Sequence, residues 1–202
     1  FEFEDAKRFC AQHEIPLKIL HGSVLKDNTI IDNPKNRCYY CKQHVFNAII
    51  EAANHDGFHH VADGTNASDE YDDRPGMKAL AEEDILSPLR LCGMTKEEIR
   101  RRSENAGLFT WNKPAYACLA TRVPTGEKIT VQKLTAVEQS ESYLFSLGFT
   151  DFRVRLRDGG ALLQFTEKQH ERAENELEAI KAELSGLFDT VELDPKARIE
   201  SK

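Results

Sequence analysis

Cysteine is scarce in this 202-residue chain, with five residues at scattered spacings. That pattern does not suggest a disulfide framework and reads as a reduced cytoplasmic thiol set, used for catalysis or metal binding. Long apolar runs are also missing. None approaches the roughly 18 residues of a membrane span, so no membrane partner is expected. Positive charge is in deficit, with 27 Lys and Arg against 34 Asp and Glu and a net charge of −7 at pH 7. This argues against a broad nucleic-acid surface, although a local basic stripe can still hold one anion. The opening "FEFEDAKRFC" has no Met, no basic n-region and no apolar h-region, so it does not read as a secretory signal. A chain opening this way is expected to begin partway through a longer protein. There is no Gly-rich phosphate loop, G-x-S-x-G, H-E-x-x-H or EF-hand spacing, and no internal repeat or low-complexity tract.

What is present is an ordinary globular balance, 40% hydrophobic and 30% charged residues, over a length that suits two modest domains. Ala6, Phe9, Cys10 and His13 recur at helical spacing, and "IPLKIL" follows as a short apolar strand. From Lys42 onward Val45, Phe46, Ile49, Ile50 and Ala53 mark one helical face. "HHVADGTNASDE" then reads as a strand entering a polar turn. This puts Asp63, Thr65 and Asn66 just past the carboxyl end of a strand, where open α/β sheets hold ligands. An ordinary strand-to-helix loop would look the same. An acidic turn, a helix with Pro75 at its first position and a short strand follow over 70–91. Thr95 to Glu98 forms a capping box for a helix ended by Gly107. Alternating helix and strand predict a layered α/β domain with a largely parallel sheet over 1–125.

After residue 125 the pattern changes. A helix over 131–147, the period-2 strand "DFRVRLRD", a Gly159-Gly160 hairpin turn into "ALLQF", a helix over 167–184 and a closing strand "LFDTVEL" predict a small α+β domain over 126–202.

Chemistry concentrates at a few positions. In "PKNRCYYCKQHVF" Cys38 and Cys41 stand three positions apart. A redox pair, part of a metal site and two small residues at a helix start all remain open. Cys10 and Cys92 lie within or beside periodic apolar segments and read as buried thiols. Cys118 lies in "KPAYACLATRVPTGEK", a non-periodic stretch where a thiol has no packing duty and Arg122 can stabilise a thiolate. Three converging cysteines with one position open suit an iron–sulfur cluster. Arg153, Arg155 and Arg157 alternate along one strand, a pitch that can clamp phosphate or carboxylate groups or simply face solvent. Glu141 falls in the apolar stripe Leu134, Val137, Leu144, where a carboxylate is costly unless it meets an arginine or a metal.

Together "NPKNRCYYCK", "DGTNASDEYDDRPG", "LSPLRLCGMTKEEIR" and "WNKPAYACLATRVPTGEKIT" resemble the LarE family of ATP-dependent sulfur transferases, which help build the nickel-pincer nucleotide cofactor of lactate racemase. The likeness runs over about residues 1–158. It implies a Rossmann-like PP-loop ATP pyrophosphatase domain followed by a small α+β domain, with ATP and Mg2+ activating a carboxylate of a pyridinium mononucleotide. A homo-oligomer is expected. By this resemblance Cys118 supplies sulfur, either sacrificially, becoming dehydroalanine, or with Cys38 and Cys41 as ligands of a 4Fe-4S cluster carrying an extra sulfide. Asp63, Thr65, Asn66, Asp69, Asp72 and Arg74 match the nucleotide-side loop. Arg122, Arg153 and Arg155 match phosphate-binding positions, and Glu141 a catalytic position in the substrate pocket. Two departures stand out: the S-G-G-x-D-S PP-loop is missing, and "ALLQF" lacks the Arg and Glu that the family tends to carry there. A tRNA thiolation enzyme and a non-catalytic zinc-binding assembly module remain alternatives.

Overall fold

Hydrophobic periodicity becomes helix over much of the chain in the computed structural model, which describes residues 2–69 and 75–200. The helices are α1 (Glu2–Gln12), α2 (Asn28–Ile31), α3 (Arg37–His55), α4 (Pro75–Glu82), α5 (Pro88–Leu91), α6 (Lys96–Asn105), α7 (Val131–Ser146), α8 (Glu167–Asn175) and α9 (Leu177–Leu184). Strands β1 (Arg153–Arg157), β2 (Gly160–Gln164) and β3 (Val191–Leu193) form one sheet in that order. The architecture is mixed α/β, rich in helix, with a small three-stranded sheet.

Local chemistry explains the element ends. The Thr95 side chain accepts from Glu98 N at 3.3 Å to start α6, and Gly107, at φ 67°, follows its end. Thr130 caps α7 in the same way, accepting from Lys133 N at 3.2 Å. β1 and β2 pair antiparallel with Arg157 opposite Gly160, so the turn residues are Asp158 and Gly159, at φ 50° and 80°. Two positive φ values define the tight hairpin turn whose twist matches its strands. The turn therefore sits one residue earlier than Gly159-Gly160. Gly160 serves another purpose: a Cβ there would lie 2.0 Å from Thr190 Oγ1 and 2.7 Å from the Thr190 carbonyl oxygen. β3 runs parallel to β2 after a return through α8 and α9. That return is two helices rather than one, because Glu176 leaves helical geometry at φ −95°, ψ 0°.

The main core lies under this sheet. Val137 and Leu144 from α7, Phe152 and Val154 around β1, Leu163 and Phe165 around β2, and Ile180 and Leu184 from α9 are all essentially inaccessible. Phe149, Phe152 and Phe165 pack with ring centroids 4.7 and 5.8 Å apart, each such burial contributing about 1.5–3 kcal/mol. Val123 and Ile129 belong to the same core, so the chain joins it before α7 begins.

The first half has a thinner interior. Met77, Leu80 and Ile85 pack against Phe46, Ile50 and Val61, and Gly76 lets α4 approach the Lys42 stem on α3. Among the described residues, parallel pairing there is one bridge, Ala62 to Leu86. The largely parallel sheet is not formed in these residues. "IPLKIL" is coil, with Ile15, Leu17 and Ile19 each more than two-fifths exposed, and 88–91 is a helical turn started by Pro88. A parallel strand needs neighbours on its edges, and no described segment pairs with residues 15–20. No helix among the described residues is long and apolar enough to cross a membrane.

Gly160→Ala is expected to cost about 1–3 kcal/mol in urea unfolding, the usual penalty of overpacking, because the obstructing group includes backbone.

Candidate functional site

Cys118 is exposed and precedes a short 3-10 turn, Leu119–Arg122. Cys38 is exposed in the first turn of α3, and Cys41, one turn further, is half-buried. The Cys41 thiol is pushed up by burial and then by the negative charges of Cys118 and Cys38, with Arg37 opposing. The three sulfurs therefore share one electrostatic neighbourhood. No three donor side chains among the described residues stand close enough to grip a single metal ion. Cysteine thiols are the donor type that iron–sulfur clusters take, and Cys41 lies within electrostatic reach of both Cys38 and Cys118. Cys10 is half-buried and Cys92 exposed, so Cys92 is not the buried thiol its apolar neighbours predict.

Behind Cys118 lies a buried ion pair. Glu141 and Arg122 have side chains 1% exposed. Glu141 Oε1 accepts from Arg122 Nε at 2.8 Å and from Val154 N at 2.9 Å; Oε2 accepts from Arg122 Nη2 at 3.1 Å and from the Tyr116 hydroxyl. Arg122 also donates to the Ala117 carbonyl at 3.1 Å and to Thr121 Oγ1 at 2.9 Å. The turn carrying Cys118 is thus pinned to α7 and β1 at once. Tyr116 is held firmly protonated, first by burial and then by its hydrogen bond to Glu141.

Guanidinium groups gather on the same side. Arg153 is buried and donates to the Phe152 and Ala115 carbonyls, each at 2.6 Å. Arg155 donates to Gln164 Oε1 at 2.8 Å and to the Thr121 carbonyl at 3.1 Å. Burial first, and then the charges of Arg122 and Arg198, push both Arg153 and Arg155 down. Two cavities open beside them. One of about 420 Å³ is lined by Lys113, Tyr116, Ser142, Phe145 and Arg153. The other, about 260 Å³, shares Tyr116, Ser142 and Phe145 and reaches Cys118 and Glu138. The two cavities thus adjoin along Tyr116, Ser142 and Phe145, with Arg153 and Lys113 lining the first, together with Asp5 and Asp151, and Cys118 lining the second.

The loop after Val61 is a separate cluster. Asp63 accepts from Thr65 Oγ1 at 2.5 Å, Thr65 N at 3.1 Å and Ser87 Oγ at 2.7 Å. Asp69 Oδ2 accepts from Asn66 N at 3.0 Å and from Asn66 Nδ2 at 2.9 Å. Asp63, Thr65, Asn66 and Asp69 are thus brought together, while Asp72 and Arg74 lie outside the described residues.

No protein-family profile matches the chain. It is 34% identical over 143 residues to a pyridinium-3,5-bisthiocarboxylic acid mononucleotide synthase of Lactiplantibacillus plantarum, covering 71% of this chain and 52% of that protein. The chain belongs to the LarE-like family. This LarE-like chain is also 36% identical over 168 residues to an uncharacterized protein of Synechocystis sp. (83% of this chain, 63% of the relative). It is 30% identical over 139 residues to an uncharacterized protein of Methanocaldococcus jannaschii (69% and 54%). It spans between about half and two-thirds of the length of these curated relatives.

Sequence reasoning overlooked four side chains in this LarE-like site. Tyr116 sits in coil with no periodic signal, and Arg198 lies far along the chain from the arginine strand. Asn33 and Arg37 precede the cysteine pair in "NPKNRC" and carry no spacing signature of their own.

Glu141→Gln is expected to destabilise the fold by about 3–5 kcal/mol in urea unfolding, because Arg122 keeps its charge in a buried place without a counter-charge. For Asp63, burial raises the carboxyl, but hydrogen bonds from Thr65 and Ser87 and the Lys42 charge outweigh it and hold it below the ordinary carboxylate range. A depressed folded value means stability that is present above the unfolded carboxylate pKa of about 4 and lost as pH falls through the folded value. Carboxyl NMR titration should show Asp63 protonating below a free aspartate, and Ser87→Ala should move it upward.

Proposed function

We propose that this chain is the sulfur-donating portion of an ATP-dependent sulfur transferase that turns a carboxylate of a pyridinium mononucleotide into a thiocarboxylate. The observation that carries the reading is a pair of adjoining cavities that share Tyr116, Ser142 and Phe145. Exposed Cys118 lines one of them, and Arg153 and Lys113 line the other, beside the carboxylates of Asp5 and Asp151. A phosphorylated, flat, charged ring with a carboxyl group fits that combination of linings.

ATP with Mg2+ activates the carboxylate as an acyl-adenylate, making AMP the leaving group. The loop of Asp63, Thr65, Asn66 and Asp69, just past the parallel bridge between Ala62 and Leu86, supports a nucleotide-side role in a PP-loop type of layered domain. Arg153 and Arg155 place the phosphate; each lies in a neighbourhood that Arg122 and Arg198 make positive and that Glu141, and for Arg153 also Asp151, partly offsets. Arg122 and Glu141 act by fixing the turn that presents Cys118, a contribution of orientation. The Cys118 sulfur attacks the activated carbonyl and AMP departs, leaving a thioester. Loss of the Cys118 Cα proton and cleavage of its Cβ–S bond then release the thiocarboxylate and leave dehydroalanine. Cys38, Cys41 and Cys118 would hold an iron–sulfur cluster, which when bound supplies a replaceable sulfide in place of the Cys118 sulfur.

Given a preformed acyl-adenylate of nicotinate mononucleotide, the wild-type chain is expected to yield thiocarboxylate, and Cys118→Ala none. In protein purified without iron the wild type should stop after one equivalent and lose the mass of one molecule of hydrogen sulfide. Thiocarboxylate formed by Cys118→Ala at the wild-type rate defeats the assignment.

A further inference from the structure

The segment that enters α3 carries two polar side chains where a core position would ordinarily be apolar. Asn33 is 1% exposed and Arg37 9% exposed. Asn33 Nδ2 donates to the Pro124 carbonyl at 2.7 Å and to the Val123 carbonyl at 3.2 Å, and its Oδ1 accepts from Arg37 Nη1 at 2.7 Å. Arg37 Nη1 also donates to the Ala120 carbonyl at 2.9 Å, while Nη2 points at Cys38 Sγ, 3.6 Å away. Main-chain bonds run alongside: Gly126 N donates to the Asn33 carbonyl at 2.8 Å and Ile129 N to the Ile31 carbonyl at 2.7 Å. One guanidinium therefore touches the first thiol of the pair and the turn just after Cys118.

Burying an amide and a guanidinium is costly, and an apolar pair of similar volume would hold two segments together without that cost. Directional bonds give something apolar packing does not, a set distance and register between the partners. Asn33 sits at φ 53°, a left-handed conformation that asparagine tolerates and most side chains do not. The backbone thus turns to aim this amide at the Val123 and Pro124 carbonyls.

We infer that Asn33 and Arg37 are positioning residues that hold the Cys38–Cys41 turn of α3 in register with Cys118, so that the three thiols address one space. The inference rests on the proposed joint use of those thiols. It assigns a task to the asparagine and arginine of "NPKNRC" that neither cysteine performs. The clamp acts on geometry: without the Asn33 side-chain bonds Cys118 no longer meets Cys41 at a fixed separation.

The test uses the full chain with Cys10, Cys38 and Cys92 changed to serine, leaving Cys41 and Cys118. A short bis-methanethiosulfonate reagent measures the rate at which the two thiols are bridged. The matching monofunctional reagent measures each thiol alone. Asn33→Gly keeps the left-handed backbone accessible and removes only the side-chain bonds. It is expected to slow bridging about tenfold or more, as small misplacements do to proximity-dependent reactions, while single-thiol rates hold. Arg37→Lys, which keeps the charge but loses the fork, should fall between. Unchanged circular dichroism and a cooperative melt establish that both variants remain folded. Bridging as fast as in the parent in both variants overturns the clamp, with the sulfur-transfer reading still judged by Cys118→Ala. No bridging in the parent, although each thiol reacts singly, overturns the clamp together with the shared thiol space.

Discussion

The buried pair of Arg122 and Glu141 is the contact on which the site depends. It gathers four donors onto one carboxylate: two from Arg122, one from the Tyr116 hydroxyl and one from the Val154 main chain. The donors come from three features, namely the cysteine-bearing turn, the aromatic wall shared by the two cavities and the arginine strand. No apolar replacement reaches all three. The pair is therefore better understood as a device for geometry than as a source of stability, since desolvation offsets much of its attraction.

From that node the rest follows in order. β1 is fixed by its core face, Phe152, Val154 and Leu156, which leaves Arg153 and Arg155 to other partners on the opposite side. Arg153 turns back to main-chain carbonyls and Arg155 reaches across to β2 and to the Thr121 carbonyl. Cations, phenol and thiol are thereby held by a sheet and a helix that are themselves well packed. Side chains held on such a frame need little further ordering when a ligand binds.

Much of the C-terminal half was legible because its signals are local. The alternation in "FRVRLR" and the apolar stripe of α7, like the Thr95 cap earlier in the chain, depend on neighbours a few residues away. Glu141 was legible for the opposite reason: a carboxylate among Leu134, Val137 and Leu144 violates its own pattern and demands a partner. The hairpin turn slipped by one residue because a glycine pair looks like a turn, while Gly160 answers to crowding from Thr190, which no local pattern reveals. "IPLKIL" has strand character but lacks a pairing partner among the described residues, and pairing is not a property of one segment. Tyr116, Arg198, Asn33 and Arg37 gain meaning only through contacts across long stretches of sequence, 83 residues in the case of Arg37 and Ala120.

The two cores differ greatly in depth, and the cysteines straddle the difference. Cys118 rides on a turn bolted to the deep core, whereas Cys38 and Cys41 ride on a helix backed by three buried apolar residues and their partly buried neighbours. Regions with few buried contacts open locally far more often than the global fold does. Amide exchange should therefore divide the chain into a slow body and a fast one, with Cys118 on the slow side and Cys38 and Cys41 on the fast side. The separation between these thiols then fluctuates with the breathing of one side against the stillness of the other.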